Sequence, residues 1–338
     1  MGDVLRIGLL GCGRIGIMHA ANINMHPKTK LAAVYDIDDS ASKNAADTHG
    51  AIACGHADEI FANPEIDAVL IATATETHAD YIESAVAACK PVLCEKPIDL
   101  DLARVNLCRD RIADSTVPVQ IGFNRRFDPG HRACRNALLA GEVGELRQLI
   151  IISRDPAMPP SEYCAVSGGI FRDMTIHDFD MARFILGEEP VEVVALANRL
   201  IDPELMNRIG DYDTAMITMR TATGRQCIIN NSRVAVYGYD QRVEILGSDG
   251  MLQSENQTPH ALRRHSASQT AAQEPYQNFF VERYREAYWA EIGAFADCVM
   301  NGTQPEVGFE DGRRALVLAE AAYLSLSEKR VVAVDEVD

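Results

Sequence analysis

A glycine-rich loop close to the start of the chain is the first stretch whose residue types and spacing indicate chemistry. The loop reads G-x-G-x-x-G and consists of Gly11, Cys12, Gly13, Arg14, Ile15 and Gly16. The first glycine permits a tight turn, the second lets the backbone approach a pyrophosphate, and the third lets a helix pack on the preceding strand. The helix that follows directs N–H groups and a partial positive charge at the phosphates. The spacing therefore predicts a dinucleotide-binding loop.

Asp36 extends this motif, since it lies twenty residues after Gly16 at the predicted end of the second strand. A carboxylate at this position accepts hydrogen bonds from the adenosine ribose hydroxyls and repels a 2′-phosphate. The next residue, Ile37, is not an arginine that could neutralise such a phosphate. The two positions favour NAD over NADP. The alternative, a structural glycine turn followed by a solvated aspartate, leaves the joint placement of the two features unexplained.

Lys96 is the second candidate, in the sequence Glu95-Lys96-Pro97 directly after a predicted parallel strand. Ligands of open α/β sheets bind outside the carboxyl ends of the strands, so we expect this lysine to face the cofactor. Pro97 restricts Lys96 to an extended conformation and so aims its side chain. A partly buried ammonium group can polarise a hydroxyl or carbonyl oxygen. Taken alone, the motif fits a surface lysine better than a catalytic one.

Asp173 and His177 are the third candidate. They are four residues apart, so a regular helix would place them on one face, with Asp180 three residues further on nearly the same stripe. A carboxylate beside an imidazole orients the ring and stabilises its protonated form, as a general base requires. The alternative is a surface stripe of ion pairs, but apolar neighbours such as Phe179 argue against a fully solvated face.

The first part of the chain supplies the elements that must position these residues. Apolar runs typical of buried parallel strands occur at Leu5–Leu10, Leu31–Tyr35, Ala68–Ala72, Pro91–Cys94 and Pro118–Ile121. Helical spacing occurs between them, at Gly16–Met25, Ser40–His49 and Thr77–Ala88. Strands that alternate with helices predict a doubly wound parallel sheet, and hence an NAD-binding Rossmann domain over residues 1–122.

The pattern changes after about residue 123, where longer alternating strands predominate. They are expected at Leu146–Ser153, Val191–Leu200, Asp213–Thr221, Gln226–Val234 and Gln241–Leu246. Short turns between them predict a mostly antiparallel open sheet in a second α/β domain over residues 123–338. Helices are expected at about Gly169–Leu186, Asn278–Asn301 and Glu310–Ser327, and a polar loop at Ser254–Pro275.

Composition excludes several classes of partner. The formal net charge is −17, from 32 basic and 49 acidic residues, and this disfavours nucleic acid and anionic lipid while permitting a small neutral substrate. The chain contains no apolar stretch of about 18 residues, so no membrane span is expected. It shows no signal peptide, and its nine cysteines are scattered without a C-x-x-C pair. We expect a cytoplasmic protein without disulfides or a metal site.

Taken together, these motifs resemble the glucose–fructose oxidoreductase/inositol dehydrogenase family over nearly the whole chain. The matching pieces are the loop Gly11–Gly16, His78 at the start of a helix, Glu95-Lys96-Pro97, the segment Gly122–Asp128, and Gly168–Asp180 with its G-G-x-x-x-D-x-x-x-H pattern. The resemblance implies a Rossmann domain followed by an α/β domain whose open sheet often mediates tetramer formation. It also allows the C-terminal helix to pack back on the Rossmann domain.

The resemblance implies roles for individual residues. Lys96, Asp173 and His177 correspond to the catalytic set, with His177 as the base, oriented by Asp173. Cofactor contacts are expected from Gly11, Gly13, Arg14, Ile15, Gly16, Asp36, Ile37, Thr73, His78, Glu95 and Lys96. Substrate contacts are expected from Lys96, Asn124, Arg125, Asp155, Asp173, His177, Asp180, Tyr237 and Tyr239.

Within the family, the chain is most similar to the inositol 2-dehydrogenases, on the segments 153–156, 171–180 and 237–242. Some of those enzymes carry Met where Asn124 stands, and His and Asn where Ser153 and Asp155 stand. Because these positions are expected to contact the substrate, the stereoisomer of inositol is left open. The alternatives are a dehydrogenase of an aldose or rare sugar, an NAD-retaining glycoside hydrolase, and a non-catalytic NAD-binding regulator.

Overall fold

The computed structural model describes residues 4–338, which divide into two compact units. The first unit contains the chain up to Asn124 together with Ala287–Leu316, and the second contains Arg125–Glu286 and Val317–Asp338. The chain therefore leaves the first unit two residues after the sequence-based boundary at residue 122, and it returns to that unit once before its C-terminal end.

The first unit is built around a six-stranded parallel sheet. Its strands are β1 (Leu5–Leu10), β2 (Thr29–Tyr35), β3 (Ile52–Ala53), β4 (Ala68–Ile71), β5 (Val92–Glu95) and β6 (Val119–Gly122). Their order is β3-β2-β1-β4-β5-β6, and every neighbouring pair is parallel. The predicted doubly wound sheet is confirmed, with one strand more than the five apolar runs. β3 was missed because it has only two residues, both exposed at the edge of the sheet.

Helices connect these strands and define where a ligand can bind. They are α1 (Arg14–Met25), α2 (Asp39–His49), α3 (Ala57–Ala62), α4 (His78–Ala87) and α5 (Leu102–Ile112). β1 and β4 are neighbours in the sheet, although β2 and β3 lie between them in the chain. Ligands of open parallel sheets bind outside the carboxyl ends of the strands at such a reversal of strand order. The glycine loop follows β1 and Thr73 follows β4, so both lie at this point.

The core of the first unit explains why the strands read as continuous apolar runs. Ile7 and Leu9 of β1 are fully buried, because packed helices cover a doubly wound sheet on both faces. The returning segment adds Ile292 and Phe295 to the same core. Each such side chain contributes about 1.5–3 kcal/mol through the removal of apolar surface from water.

The second unit is built around a seven-stranded sheet. Its strands are β7 (Leu146–Arg154), β8 (Pro190–Asn198), β9 (Thr214–Thr221), β10 (Gln226–Ser232), β11 (Asp240–Gly247), β12 (Met251–Ser254) and β13 (Val332–Ala333). The order is β12-β11-β7-β10-β9-β8-β13, with one parallel pair, β7 and β10. The prediction of a mostly antiparallel sheet is confirmed. The short strands β12 and β13 were not foreseen.

The remaining helices follow in chain order. They are α6 (Pro129–Leu139), α7 (Ser161–Val166), α8 (Ile176–Leu186), α9 (Pro203–Ile209), α10 (Phe280–Arg283), α11 (Arg285–Asn301) and α12 (Phe309–Glu328). Short 3₁₀ turns occur at Thr75–Thr77, Asn124–Phe127 and Val334–Glu336. Within the described part of the chain, every helix is too short or too polar to cross a bilayer.

A π turn at Phe171–Thr175 immediately precedes α8. The helix predicted over residues 169–186 is continuous in the structure, but residues 171–175 have π rather than α-helical geometry. Hydrogen bonds in a π turn run from residue i to residue i+5, so its residues are not in α-helical register. Such turns occur frequently at functional sites.

The seven-stranded sheet has one covered and one open face. In β9, Ala215, Ile217 and Met219 are buried, whereas the alternate residues Met216 and Thr218 are exposed. Successive side chains of a strand point to opposite faces, so this alternation places the apolar core of the second unit on one side of the sheet only.

Candidate active site

The glycine loop of the first unit has the shape of a phosphate cradle. A Cβ atom on Gly11, whose φ is +94°, would collide with the carbonyl oxygen of Ala72, and one on Gly16 would collide with the carbonyl oxygen of Gly11. Gly13 differs, because a Cβ atom there would meet nothing within 4 Å. The loop is therefore closely packed at its first and third glycines and open at the second, where a pyrophosphate must approach the backbone.

The first turn of α1 supplies the donors for such a group. Gly13 is the N-cap residue of this helix, and a glycine has no side chain that could cap it. The first N–H groups of a helix have no partner within the helix itself, and they favour an anion at this end. Arg14 is exposed and Ile15 half-buried in this turn, which suits the cofactor contacts expected of both.

Asp36 is anchored beside the loop. Its Oδ2 accepts a hydrogen bond from the backbone N–H of Cys12 at 2.6 Å, and its Oδ1 accepts one from that of Asp38 at 2.9 Å. Each carboxylate oxygen can accept a second bond, so both remain able to receive ribose hydroxyls. The following side chain, Ile37, is 94% exposed and can cover an adenine ring. These residues fit the adenosine half of NAD.

His78 holds two loops together and does not itself reach outward. Its Nδ1 lies 2.8 Å from the carbonyl oxygen of Pro97, and its Nε2 lies 3.1 Å from that of Thr73. The side chain is 2% exposed, and burial lowers its pKa although both carbonyl oxygens raise it. Thr73 follows β4 and Pro97 follows β5, so His78 fixes the spacing of two loops at the cofactor edge. The direct cofactor contact that the family resemblance implies for His78 stays a prediction.

Lys96 directly follows β5, as predicted, on a turn that is supported from inside the first unit. The preceding residue, Glu95, lies with Oε1 2.7 Å from Nε2 of His19, a buried side chain of α1. Glu291 is fully buried in the same unit, and burial together with the charge of Glu95 raises its pKa well above the usual range. Lys96 itself is half-buried.

Asp173 and His177 lie on the two sides of the junction between the π turn and α8, and both are half-buried. The hydroxyl of Tyr163 donates to Oδ1 of Asp173 at 2.7 Å. Nη1 of Arg233 lies 3.4 Å from Oδ2 of the same carboxylate. Neither partner was foreseen, because no spacing in the sequence relates residues 163 and 233 to Asp173.

Arg125 belongs to a buried polar network and does not line an open site. Its Nη1 donates to Asp178 Oδ1 at 2.7 Å and to the hydroxyl of Ser153 at 3.1 Å. Asp178 Oδ2 accepts from Asn231 at 2.8 Å, and Asn231 accepts from Thr175 at 2.6 Å. The network ties the π turn and α8 to β7 and β10. Arg125 thus forms an internal ion pair, and the substrate contact that the resemblance implies for it stays a prediction.

Asp180 is likewise engaged within the protein. Arg126 Nε donates to its Oδ2 at 2.8 Å and Nη2 to its Oδ1 at 2.5 Å, and both side chains are buried. The guanidinium of Arg126 thus donates one hydrogen bond to each oxygen of the Asp180 carboxylate, in the bidentate geometry that arginine and carboxylate groups favour. Asp180 therefore forms an internal ion pair, and the contact with a substrate hydroxyl that the resemblance implies stays a prediction.

The two tyrosines differ as candidates. Tyr239 is buried, with its ring edge-to-face on Tyr284, and burial raises its pKa well above the ordinary value. Tyr237 is partly exposed, and its hydroxyl donates to Asp240 at 2.8 Å while accepting from Arg154 at 2.8 Å. Of the two, only Tyr237 presents surface to a small molecule.

Asn124 and Asp155 complete the expected substrate contacts. Asn124 is buried, and among the described residues its Nδ2 finds no hydrogen-bond acceptor. Asp155 follows β7 and is half-buried. Burial raises its pKa to about 7; the charge of Asp173 adds to this effect, and Arg233 opposes it. Asp155 can therefore change its protonation state near neutral pH. Over residues 4–338, no group of three His, Cys, Asp or Glu side chains could hold a metal ion.

The glycine cradle, Asp36 and the strand order define an NAD-binding oxidoreductase of the Rossmann class. Residues 5–123 match the family described as oxidoreductase family, NAD-binding Rossmann fold, and residues 131–253 match the one described as GFO/IDH/MocA C-terminal domain. The chain belongs to the GFO/IDH/MocA family, and it is an NAD-dependent dehydrogenase.

Individual relatives are similar over the whole length. An inositol 2-dehydrogenase of Rhizobium meliloti is 46% identical over 330 residues, which cover 98% of this chain and 99% of that protein. The crystal structure of a myo-inositol dehydrogenase from Corynebacterium glutamicum has a TM-score of 0.95 at 45% identity and covers 98% of each chain. A scyllo-inositol dehydrogenase from Lactobacillus casei with bound NAD(H) and scyllo-inositol has a TM-score of 0.90 at 29% identity, over 98% of this chain and 100% of that chain.

Proposed function

We propose that this protein is an inositol dehydrogenase, which oxidises one ring hydroxyl of myo- or scyllo-inositol to a ketone with NAD⁺. The observation that carries this function is 46% identity over 98% of the chain to a relative named inositol 2-dehydrogenase. The glycine cradle and Asp36 support the cofactor, and the pair Asp173 and His177 supports the proton chemistry.

The proposed catalytic set is Lys96, Asp173 and His177. Bound NAD⁺ supplies the hydride acceptor for the ring carbon. His177 takes the proton of the reacting hydroxyl as a general base, and Asp173 stabilises the positive charge that forms on the imidazole. Lys96 donates a hydrogen bond to the same oxygen as negative charge develops on it.

A neutral polyol requires directional polar groups at its other hydroxyls. We assign this task to Asn124, Asp155 and Tyr237. The amide nitrogen of Asn124 has no acceptor among the described residues, Asp155 is half-buried and Tyr237 is partly exposed, whereas Arg125, Asp180 and Tyr239 are buried. A site built to pair a hydroxyl rejects an isomer that leaves one of its buried groups unpaired. These residues are therefore where discrimination between inositol isomers should reside.

Formation of NADH by the purified protein tests this function. The assay offers NAD⁺ with myo-, scyllo- and chiro-inositol and with a panel of aldoses, and NADP⁺ serves as the cofactor control. Turnover of one inositol with NAD⁺ supports the proposal and identifies the isomer. Turnover of aldoses alone would support an NAD-dependent dehydrogenase but show that its substrate is a sugar and not inositol. NAD⁺ binding without reduction by any polyol would contradict the proposal.

We also infer that the chain assembles into a homotetramer through the open face of its seven-stranded sheet. Leu196, Met216 and Ile228 are exposed on this face, and Leu196 lies opposite Met216 in the register of β8 and β9. Adjacent exposed apolar residues on a sheet face are typical of an interaction surface. A homotetramer requires symmetry, so a second copy of the same face or a neighbouring one would cover it.

The state of the cysteines supports a location in a reducing compartment, which we propose is the cytoplasm. All nine are free thiols, and only Cys89 is exposed. Burial raises the pKa of thiols such as Cys12, to about 11, which keeps them protonated and unreactive. Free cysteines in this number are typical of proteins that are kept reduced.

A further inference from the structure

Asp173 is held by two side chains to which the proposed chemistry assigns no part. Tyr163 lies on α7, and its hydroxyl donates to Oδ1 of Asp173 at 2.7 Å. Arg233 follows β10 and lies with Nη1 3.4 Å from Oδ2. Each oxygen of the carboxylate therefore has its own donor. Two donors on opposite oxygens restrict rotation of the carboxylate and favour its charged form.

Arg233 is itself fixed within the second unit. Its side chain is fully buried, and its Nη2 lies 3.3 Å from Oδ2 of Asp211. Asp211 Oδ1 accepts the backbone N–H of Ile170, the residue directly before the π turn, at 2.9 Å. A Cβ atom on Gly169 would collide with Asp211 and with Tyr323, so only glycine fits beside this carboxylate. The same group of residues thus fixes both the carboxylate of Asp173 and the start of its π turn.

Arg233 is the group whose positive charge most directly stabilises the carboxylates around Asp173. The titratable and charged side chains that act electrostatically together here are Asp155, Tyr163, Cys164, Asp173, Asp211 and Arg233, and Arg125 and Asp178 act on Asp155 as well. Arg233 is the cation that acts on all three of the carboxyl groups Asp155, Asp173 and Asp211. A buried guanidinium stabilises the charged form of the carboxylates beside it, and removing either partner leaves an uncompensated buried charge.

We propose that Tyr163 and Arg233 are positioning residues for the proposed catalytic pair, which hold the carboxylate of Asp173 in one orientation and in its charged form. This role rests on the proposed function, in which Asp173 supports His177 as the base. It assigns to α7 and to the residue after β10 a part in the proton transfer, although neither is placed in contact with the reacting atoms.

Tyr163→Phe is the sharpest test, because it removes one hydroxyl from a half-exposed side chain and leaves the ring. We expect kcat to fall about tenfold, because the variant loses one hydrogen bond to a charged group. The acidic limb of the kcat–pH profile should move to higher pH, because the carboxylate accepts a proton more readily without its donor. KM for NAD⁺ should stay unchanged. Tyr212→Phe, whose ring stacks with Arg199 in the same unit, is the matched control. An unmoved acidic limb would overturn the proposal.

A double-mutant cycle tests the same contact without enzyme activity. Tyr163→Phe should lower the midpoint of thermal unfolding by about 2 °C in the wild-type chain and by less in an Asp173→Asn background, since the charged acceptor is already absent there. Equal shifts in both backgrounds would contradict the contact. Non-additive shifts in a protein that reduces NAD⁺ with no polyol would keep the contact and reject the proposed function.

Arg233→Lys extends the test to the buried cation. Lysine keeps the charge but cannot reach Asp173 and Asp211 with two separate nitrogen atoms. We expect a larger fall in kcat than for Tyr163→Phe, with the same direction of change in the pH profile and with NAD⁺ still bound. A variant that stays folded and keeps wild-type kcat and pH profile would remove Arg233 from the proposal.

Discussion

The acidic side chains of the second unit have the same chemistry and different surroundings, because their partners differ. Asp178 and Asp180 are buried, and each is neutralised by its own arginine. Asp155 has no arginine of its own and is influenced by Arg233 alongside Asp173. One residue type therefore forms internal ion pairs, supports the base in the proposed mechanism, and titrates near neutral pH.

His177 and Lys96 carry the first prediction at the scale of the residue. Replacing His177 by Ala or Lys96 by Met should lower kcat by about 10²–10⁴-fold, the size of a general acid–base contribution. Binding of NAD⁺, followed by the protein's own fluorescence, should change little for His177→Ala, because the expected cofactor contacts lie in the first unit. Substantial turnover by both single variants would contradict the assignment.

Asp155 carries a prediction about stability and pH. Its pKa rises from 3.8 to about 7 on folding, chiefly through burial, so folding favours the protonated form. Its stabilising contribution is complete below about pH 3.8 and is lost as the pH rises through 7. Asp155→Asn cannot ionise, so its unfolding temperature relative to the wild type should increase between pH 5 and pH 8. The exposed Asp114→Asn is the control. A difference between Asp155→Asn and wild type that does not vary with pH would exclude the shift.

At the scale of the element, the glycine loop carries a prediction in which two substitutions have opposite effects. Gly13→Ala places a methyl group in open space, so the unfolding temperature should stay unchanged while KM for NAD⁺ rises about tenfold or more through interference with the pyrophosphate. Gly16→Ala collides with the carbonyl oxygen of Gly11 and should lower the unfolding temperature. A normal KM for Gly13→Ala would place the pyrophosphate elsewhere.

The elements that could be predicted from the sequence are those with a periodic apolar pattern. β1 was located to the residue because all six of its positions are apolar or glycine, apart from Arg6. β3 and β13 have two residues each, too few for any period. The π turn was missed because an inserted residue leaves the local composition of a helix unchanged.

The residues of the candidate site also fall into two groups, those that could be placed from the sequence and those that could not. Gly11–Gly16, Asp36 and Lys96 could be placed from the sequence because each stands at a fixed offset from a strand end. Tyr163 and Arg233 could not, since 60 residues separate Arg233 from Asp173 and only the fold brings them together. The same holds for the ion pair of Arg125 with Asp178, which are 53 residues apart in the chain.

At the scale of the whole molecule, the net charge of −17 and the proposed self-association act against each other. Like charges on each copy repel, and salt weakens this repulsion without weakening apolar burial. Leu196 and Met216 are 72% and 56% exposed, so their burial between copies would supply the favourable contribution. An assembly held in this way should become more stable as the salt concentration rises, the opposite of one that depends on surface ion pairs.

Met216→Glu tests this balance, because it places a negative charge at the centre of the open sheet face. We expect the mass measured by light scattering to fall from that of a tetramer to that of a smaller species, and moderate salt should restore it only in part, since the carboxylate must still lose its water of hydration. Leu139→Glu, which alters an equally exposed apolar residue on α6, is the control and should leave the mass unchanged. If Met216→Glu also leaves the mass unchanged, the open face is not the interface. If the wild-type chain is monomeric at every salt concentration, the apolar contribution of this face is smaller than the repulsion and the proposed tetramer is wrong.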